Sequence, residues 1–351
     1  MPGVRPLRGV TVCPLAQNLA AISWSPDGAG LAWVDLDGAI GVLRGGAVKR
    51  FQSRPGALCL AWAPDGRRFL TGGEDGRVRI WDVASGLLAE WAGVGQPPAA
   101  GPSKVRPPWI GAAVWGPTCI AVAAGKSVEL RGEDGALRGE PTVFPATVSA
   151  LVRDPARDGF IATAYGDAVA IPAGAGGVQR FSFKGSILAA APSPDGRYVA
   201  LGCQDSSVMV WQRNLATVNP AGTPEAEPMR MGGFPGKVLH LAWGDGPTLV
   251  TAGGDALASW SFAGRGPAGQ DGVGLPGHGG RILAVQTGRR GRLLVSVGEE
   301  GPTSRIICWS YRRGWEPIAS TQAPVSALAL RSDGLGFAVA GEHLTIMEIP
   351  Q

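Results

Sequence analysis

Three histidines and five cysteines are all that 351 residues hold of the side chains that most often bind metals or act as catalytic nucleophiles. There is no Cys-x-x-Cys, no pair of histidines at ligand spacing and no Gly-x-Ser-x-Gly turn, which excludes any metal or nucleophile site that leaves a local signature. The AGKS at Ala124 has part of a phosphate-binding loop, but Ile120 stands where that loop needs glycine, and the segment joins strand to strand. No catalytic residue, metal or cofactor is expected. Long apolar runs are missing too. MPGVRPLRGVTVCPLAQ has none of signal-peptide length, nothing approaches a membrane span, and Cys13 after Thr-Val matches a lipoprotein cleavage site poorly. Charged residues are only 17%, so no long disordered tail is expected. The cysteines, at 13, 59, 119, 203 and 308, sit singly on expected strands. They read as reduced core thiols, which points to a cytoplasmic protein.

What is abundant is glycine (55), proline (29) and apolar side chains (45%), a composition for a β-rich chain that turns every few residues. One pattern recurs eight times: an apolar strand, a tight turn, a second strand, a polar turn, a third strand. ALCLAWAPDG from Ala57, RRFLTGGEDG from Arg67 and RVRIWDV from Arg77 form the clearest copy. The last bulky position of the first strand is filled by Trp24, Trp62, Trp115, Arg153, Pro192, Trp243, Thr287 and Leu330, at spacings of 38, 53, 38, 39, 51, 44 and 43. Repeats of roughly 40 to 45 residues with a Trp-Asp signature mark four-stranded propeller blades. SPDG at Ser25, APDG at Ala63, SPDG at Ser193 and RSDG at Arg331 supply the hairpin turns. A second column, Trp81, Trp211, Trp260 and Trp309, runs through the third strands. A turn aspartate precedes it in five repeats, as Asp37, Asp75, Asp167, Asp205 and Asp255. The two columns take eight of twelve tryptophans, which assigns most of them to packing.

These residues, above all Trp81-Asp82 after GGEDG, resemble the WD-repeat β-propeller family across nearly the whole chain, most closely in repeats two and five. The resemblance implies a rigid protein-interaction scaffold. In that family a Gly-His, a Ser/Thr, the turn Asp and the Trp form a hydrogen-bonded tetrad. Here Gly277-His278 is the only Gly-His and its repeat lacks the turn Asp, so no complete tetrad is expected. The expected fold is all-β: one domain, residues 1–351, a closed propeller of four-stranded antiparallel blades. Eight are favoured, and seven plus an irregular unit is the alternative. The eighth repeat ends at Ile349 without a fourth strand, and RGVTVCPL from Arg8 is the segment available to supply it and close the ring.

Partner-binding candidates come from position. Lysine is scarce, five against 27 arginines, and the net charge is +4. Lys104, Lys126, Lys184 and Lys237 nonetheless all fall in loops before first strands or in turns between second and third strands, which lie on one propeller face. Arg54, Arg106, Arg281 and Arg305 share that register, against Glu74, Glu299, Glu300 and Glu342. Two Pro-rich insertions, 93–108 and 214–227, read as loops. Trp109, outside both tryptophan columns and beside Lys104 and Arg106, is either an interaction anchor or tucked against its blade. The expected partner surface is Trp109, Lys184, Lys237, Lys104, Arg106, Lys126 and Arg281. It would bind an acidic protein or peptide, with no nucleic acid or membrane involved and the chain alone a monomer. Two alternatives stay open: a hydrolase or lyase assembled from several blades, and a nucleic-acid-associated subunit using Arg289, Arg290, Arg292, Arg312 and Arg313 of repeat seven. His240 is out of character in a column otherwise filled by Ala or Cys, where it either fills a gap or projects toward the channel.

Overall fold

The computed structural model describes residues 4–93, 108–154, 158–213, 227–244, 247–264, 266–267, 269–288 and 291–350. All regular structure among them is β-strand. The chain forms two compact bodies, one of residues 19–184 and one of residues 4–18 with the described residues from 185 onward. Each repeat folds as an antiparallel meander. Repeat two runs Ala57–Trp62, Arg68–Gly73, Arg77–Asp82, Gly86–Ala92, each strand paired with the one before it. Within each body, first strands of successive repeats lie side by side.

Local chemistry explains the meander. In the SPDG turn, Gly28 N–H donates to Ser25 O at 2.8 Å with Gly28 at φ 68°, and Gly66, Gly196 and Gly334 repeat the geometry at φ 65°, 71° and 69°. That left-handed conformation is why glycine closes each of these turns. Second strands are buried throughout, as in Tyr198–Cys203 and Thr248–Gly253. They lie in the middle of their sheets, covered on both faces, and read as continuous apolar runs. The cores lie between successive sheets. Trp62, Phe69 and Trp81 of repeat two close over Ala32, Val34 and Ile40 of repeat one, and Trp243 and Trp260 of repeat six pack with Tyr198 and Val210 of repeat five.

Both tryptophan columns are structural. The first bridges repeats: Trp62 Nε1 donates to Ser23 O at 2.9 Å and Trp243 Nε1 to Ala191 O at 2.8 Å, each reaching the residue before the preceding repeat's marker. Where repeat eight has no tryptophan, Gln286 makes the link instead, donating to Leu328 O and accepting from Leu330 N–H. The second column bonds within its own sheet, Trp81 Nε1 to Thr71 Oγ1 at 3.0 Å and Trp260 Nε1 to Thr251 Oγ1 at 2.8 Å.

Two expectations about closure meet the structure. Arg8–Pro14 pairs antiparallel with His343–Glu348 and is the fourth strand of the last sheet, as its alternation suggested. Arg5–Pro6, not anticipated, adds in parallel to Trp315–Ala323 as a fifth strand of the preceding sheet. The favoured count of eight blades is corrected to the alternative of seven: among the described residues hydrogen bonding defines seven sheets, five of them four-stranded, one five-stranded and one six-stranded. The six-stranded sheet joins repeats four and five, because Gly159–Pro172 and Gln179–Pro192 are each 14 residues long and the second runs without a break from one repeat into the next.

Candidate interaction surface

The end of each sheet that carries the loop before the first strand also carries the turn between the second and third strands. In the body of residues 19–184 this end is apolar and basic. Trp109 precedes Ile110–Trp115, and its ring is not tucked away: the residue is 53% exposed. Ile110 pairs with Ala124, so the following turn, Gly125-Lys126, comes back beside Trp109, and a side chain added at Gly125 would reach Pro108. Lys126 donates to Pro145 O at 3.1 Å, while Val148 N–H donates to Gly125 O, fixing the turn to the loop before the next first strand. Tyr165, 58% exposed, lies beside Gly166 (φ 80°) within Gly159–Pro172 of repeat four, and Lys184, expected in a loop, is exposed within the strand Gln179–Pro192. Leu36, 50% exposed, occupies the turn between the second and third strands of repeat one. Among the described residues neither Lys126 nor Lys184 meets a carboxylate at ion-pair distance.

The corresponding end in the other body differs. Lys237 is exposed before Val238–Gly244 and meets no carboxylate among the described residues. Arg281 is answered by Glu299 at 2.8 Å and Arg305 by Glu300, so two of the cations counted from sequence are neutralised. Beside them opens a polar cleft of about 680 Å³, walled by Gln17, Thr303, Ser326, Glu299 and Glu342. Lys104, Arg106, Arg289, Arg290 and nearly all of both Pro-rich insertions lie outside the described residues.

The polar network beneath the surface is structural. Trp309 Nε1 donates to Ser296 Oγ at 2.8 Å, and Ser296 Oγ lies 2.8 Å from His278 Nε2, which gives three members of the four-residue network without its aspartate. His278 Nδ1 is buried and unpartnered. Burial, with Arg305 nearby, holds this imidazole down to about 4 against its ordinary 6.5. Elsewhere the turn aspartates hold arginine in place of histidine: Asp75 with Arg79 at 2.5 Å, Asp205 with Arg230 at 3.1 Å, and Asp167 with Arg180. His240 is half-buried, and burial lowers its pKa. It follows a β-bulge between Val238 and His240 that recurs in the first strands of repeats one, two, three, five and seven. The column of small residues is thus the position just after a bulge, where the inner strand turns most sharply. All five cysteines are buried thiols outside any disulfide, and desolvation pushes Cys59, Cys203 and Cys308 up to about 12.

A family model described as WD domain, G-beta repeat matches residues 48–82 and 177–212. These segments contain the first three strands of repeats two and five, the two copies whose sequence signature is strongest. The C-terminal WD40 domain of Sif2 superposes with a TM-score of 0.75 at 15% identity, over 99% of this chain and 99% of that one. The chain carries WD repeats on a propeller fold. A chain in the mitotic checkpoint complex superposes with a TM-score of 0.59 at 16% identity, over 99% of this chain and 93% of that one. At these identities the likeness of the WD-repeat chain to both structures is one of fold. Leu36 and Tyr165, which sequence reasoning passed over, became visible only through exposure. Leu36 sits in a turn between second and third strands and Tyr165 beside Gly166 at the polar position before the turn aspartate of its repeat, and an apolar or aromatic residue there is the signal that was available.

Proposed function

We propose that this chain is a non-catalytic interaction platform, a single propeller domain acting in the cytoplasm and monomeric alone. It binds a protein or peptide over the end of the sheets that carries the loops before the first strands. The observation that carries the reading is that the body of residues 19–184 exposes two aromatic rings, Trp109 and Tyr165, and two lysines, Lys126 and Lys184, that meet no carboxylate among the described residues, with Lys126 in the turn that returns beside Trp109. An aromatic anchor supplies apolar burial, and an adjacent unpaired cation attracts an acidic group and steers encounter. A segment that alternates apolar and acidic side chains fits that arrangement. Lys237, in the other body, and Lys104 and Arg106, outside the described residues, are proposed as further partner contacts. Arg281, already answered by Glu299, takes a lesser part. The likeness to a chain of the mitotic checkpoint complex agrees with a propeller that works within an assembly.

The test begins with capture of the partner by the immobilised chain, followed by kinetics on variants. Trp109→Ala is expected to speed dissociation. Lys184→Glu with Lys237→Glu is expected to slow association, most strongly at low salt. Full binding by a variant changed at Trp109, Lys184 and Lys237 together would refute this surface.

A further inference from the structure

One buried position in the third strands breaks its own pattern. The residue before the second-column tryptophan is Ile80 in repeat two, Val210 in repeat five and Cys308 in repeat seven, and each is buried in the core against the following sheet. In repeat six it is Ser259, 8% exposed. Strand alternation puts Ser259 on the same face as Leu257, which packs against Ile307 and Trp309 of repeat seven. A small side chain where the other repeats carry a larger or apolar one leaves room, and a cavity of about 680 Å³ lies between the outer strands of repeats six and seven. The fourth strand of repeat six, Val273–Gly274, has only two residues against nine in Trp315–Ala323, so it covers little of that opening. The whole lining belongs to the body that holds the residues from 185 onward.

The lining is graded in polarity. Ser261 pairs with Thr248, and Arg313 lies in the turn after Thr303–Tyr311, so both sit at the end of the sheets that carries the turns between first and second strands. Arg313 is exposed and meets no carboxylate among the described residues, and no lining residue is acidic. Ser261 Oγ accepts only the long bond from Ala263 N–H at 3.4 Å, which leaves its O–H to donate. The Ser259 hydroxyl, nine-tenths buried and lining the cavity, has no hydrogen-bond partner among the described residues. Such a hydroxyl costs free energy until something in the space bonds it. Trp309 and Trp315 form the middle of the wall, with Tyr311 edge-to-face on Trp315 at 5.2 Å, and Leu275 and Pro276 form the far end.

We propose that this cavity binds a small amphipathic organic acid. Its carboxylate is held by Arg313 with hydrogen bonds from the Ser259 and Ser261 hydroxyls, and its apolar body runs past Trp309 and Trp315 to Leu275. A single cation and two hydroxyls at one end match one anionic head, and the apolar remainder matches a chain or ring system without further charge. The volume falls within the roughly 300–1,000 Å³ of small-molecule sites. The site is independent of the partner surface described above.

Calorimetric titration of the full chain with octanoate, butanoate and 1-octanol tests the proposal. Octanoate should bind saturably, one per chain, with a change in tryptophan fluorescence over the same range because two indoles line the site. Each methylene buried should tighten binding about three- to fourfold, which places octanoate at least about tenfold below butanoate in Kd. Arg313→Gln should weaken octanoate about tenfold and leave 1-octanol within about twofold, as loss of one charge-assisted contact implies. Arg312→Gln, on the same hairpin but outside the cavity, should change octanoate binding less than about twofold. Ser259→Ile, which places the residue of repeat two in the space, should abolish binding of both octanoate and 1-octanol and raise the melting temperature. No saturable binding up to about 10 mM octanoate would overturn the proposal. So would butanoate binding as tightly as octanoate, which marks a surface ion pair, or octanoate affinity unchanged in Arg313→Gln or in a folded Ser259→Ile protein.

Discussion

Acidification offers a sharp test of the network around His278, because the missing aspartate has a calculable consequence. In the four-residue arrangement a carboxylate would face Nδ1 and stabilise an imidazolium. Here Nδ1 is buried without an acceptor, Nε2 is engaged with Ser296, and Arg305 adds repulsion that Glu300 only partly offsets. The folded protein therefore resists protonation down to about 4, whereas the unfolded chain takes up the proton near 6.5. The folded pKa lies below the unfolded one for a base, so stability is intact above about pH 7 and falls as pH drops through 6.5 toward 4. Linkage over that gap gives a loss of about 2 kcal/mol between about pH 7.5 and pH 5 from this residue alone. His240, also lowered by burial, adds a contribution of the same sign, and His343 is exposed on its strand. Urea denaturation followed by tryptophan fluorescence across that range, on the native chain and on His278→Gln, isolates the term. The variant should start less stable, having lost its bond to Ser296, but its stability should fall by about 2 kcal/mol less on acidification. Parallel pH profiles for the two proteins would refute the reasoning, since they would show that His278 titrates alike folded and unfolded.

Trp81→Ala should cost about 3–5 kcal/mol, because the ring is buried between Phe69 and Phe51 and its N–H satisfies Thr71, whereas Trp109→Ala should cost under about 1 kcal/mol. Equal shifts in thermal midpoint would show the tryptophans wrongly sorted. Deleting residues 1–14 removes Arg5–Pro6 and Arg8–Pro14 and bares the edges of Trp315–Ala323 and His343–Glu348. Light scattering should report association and the melting temperature should fall, and an unchanged monodisperse protein would contradict the pairing. The five buried thiols, three of them raised to about 12, should resist a thiol reagent until the chain unfolds. Rapid stoichiometric labelling of the native protein would contradict their burial.

What the sequence made legible is what short segments decide. Ser25-Pro-Asp-Gly dictates its own turn through bonds spanning a few residues: Gly30 N–H and the Asp27 carboxylate both meet Ser25 Oγ. The tryptophan columns were readable because a repeated position repeats its environment, and Arg8–Pro14 because an alternating strand without a neighbour must find an edge. Pairings distant in sequence were not readable. Nothing in Arg5-Pro6 marks it as partner to Ala319-Ser320. The merging of repeats four and five depends on Gln179–Pro192 continuing where other repeats break, although Gly185 within it looks like punctuation.

The same distinction governs the charges. Counting cations by register gave repeat seven a share of the basic face, because Arg281 and Arg305 fall in the right loops. Whether a charge is available depends on what stands opposite, and Arg281 meets Glu299 across 18 positions. Exposed pairs of this kind contribute little to stability, but they remove both partners from the field an approaching ligand feels. Lys126 and Lys184 escape that pairing among the described residues, and Lys126 returns beside the exposed ring of Trp109. A complex held through Trp109 and these lysines should therefore form more slowly as salt rises, while its dissociation, set by burial of the ring, should change little.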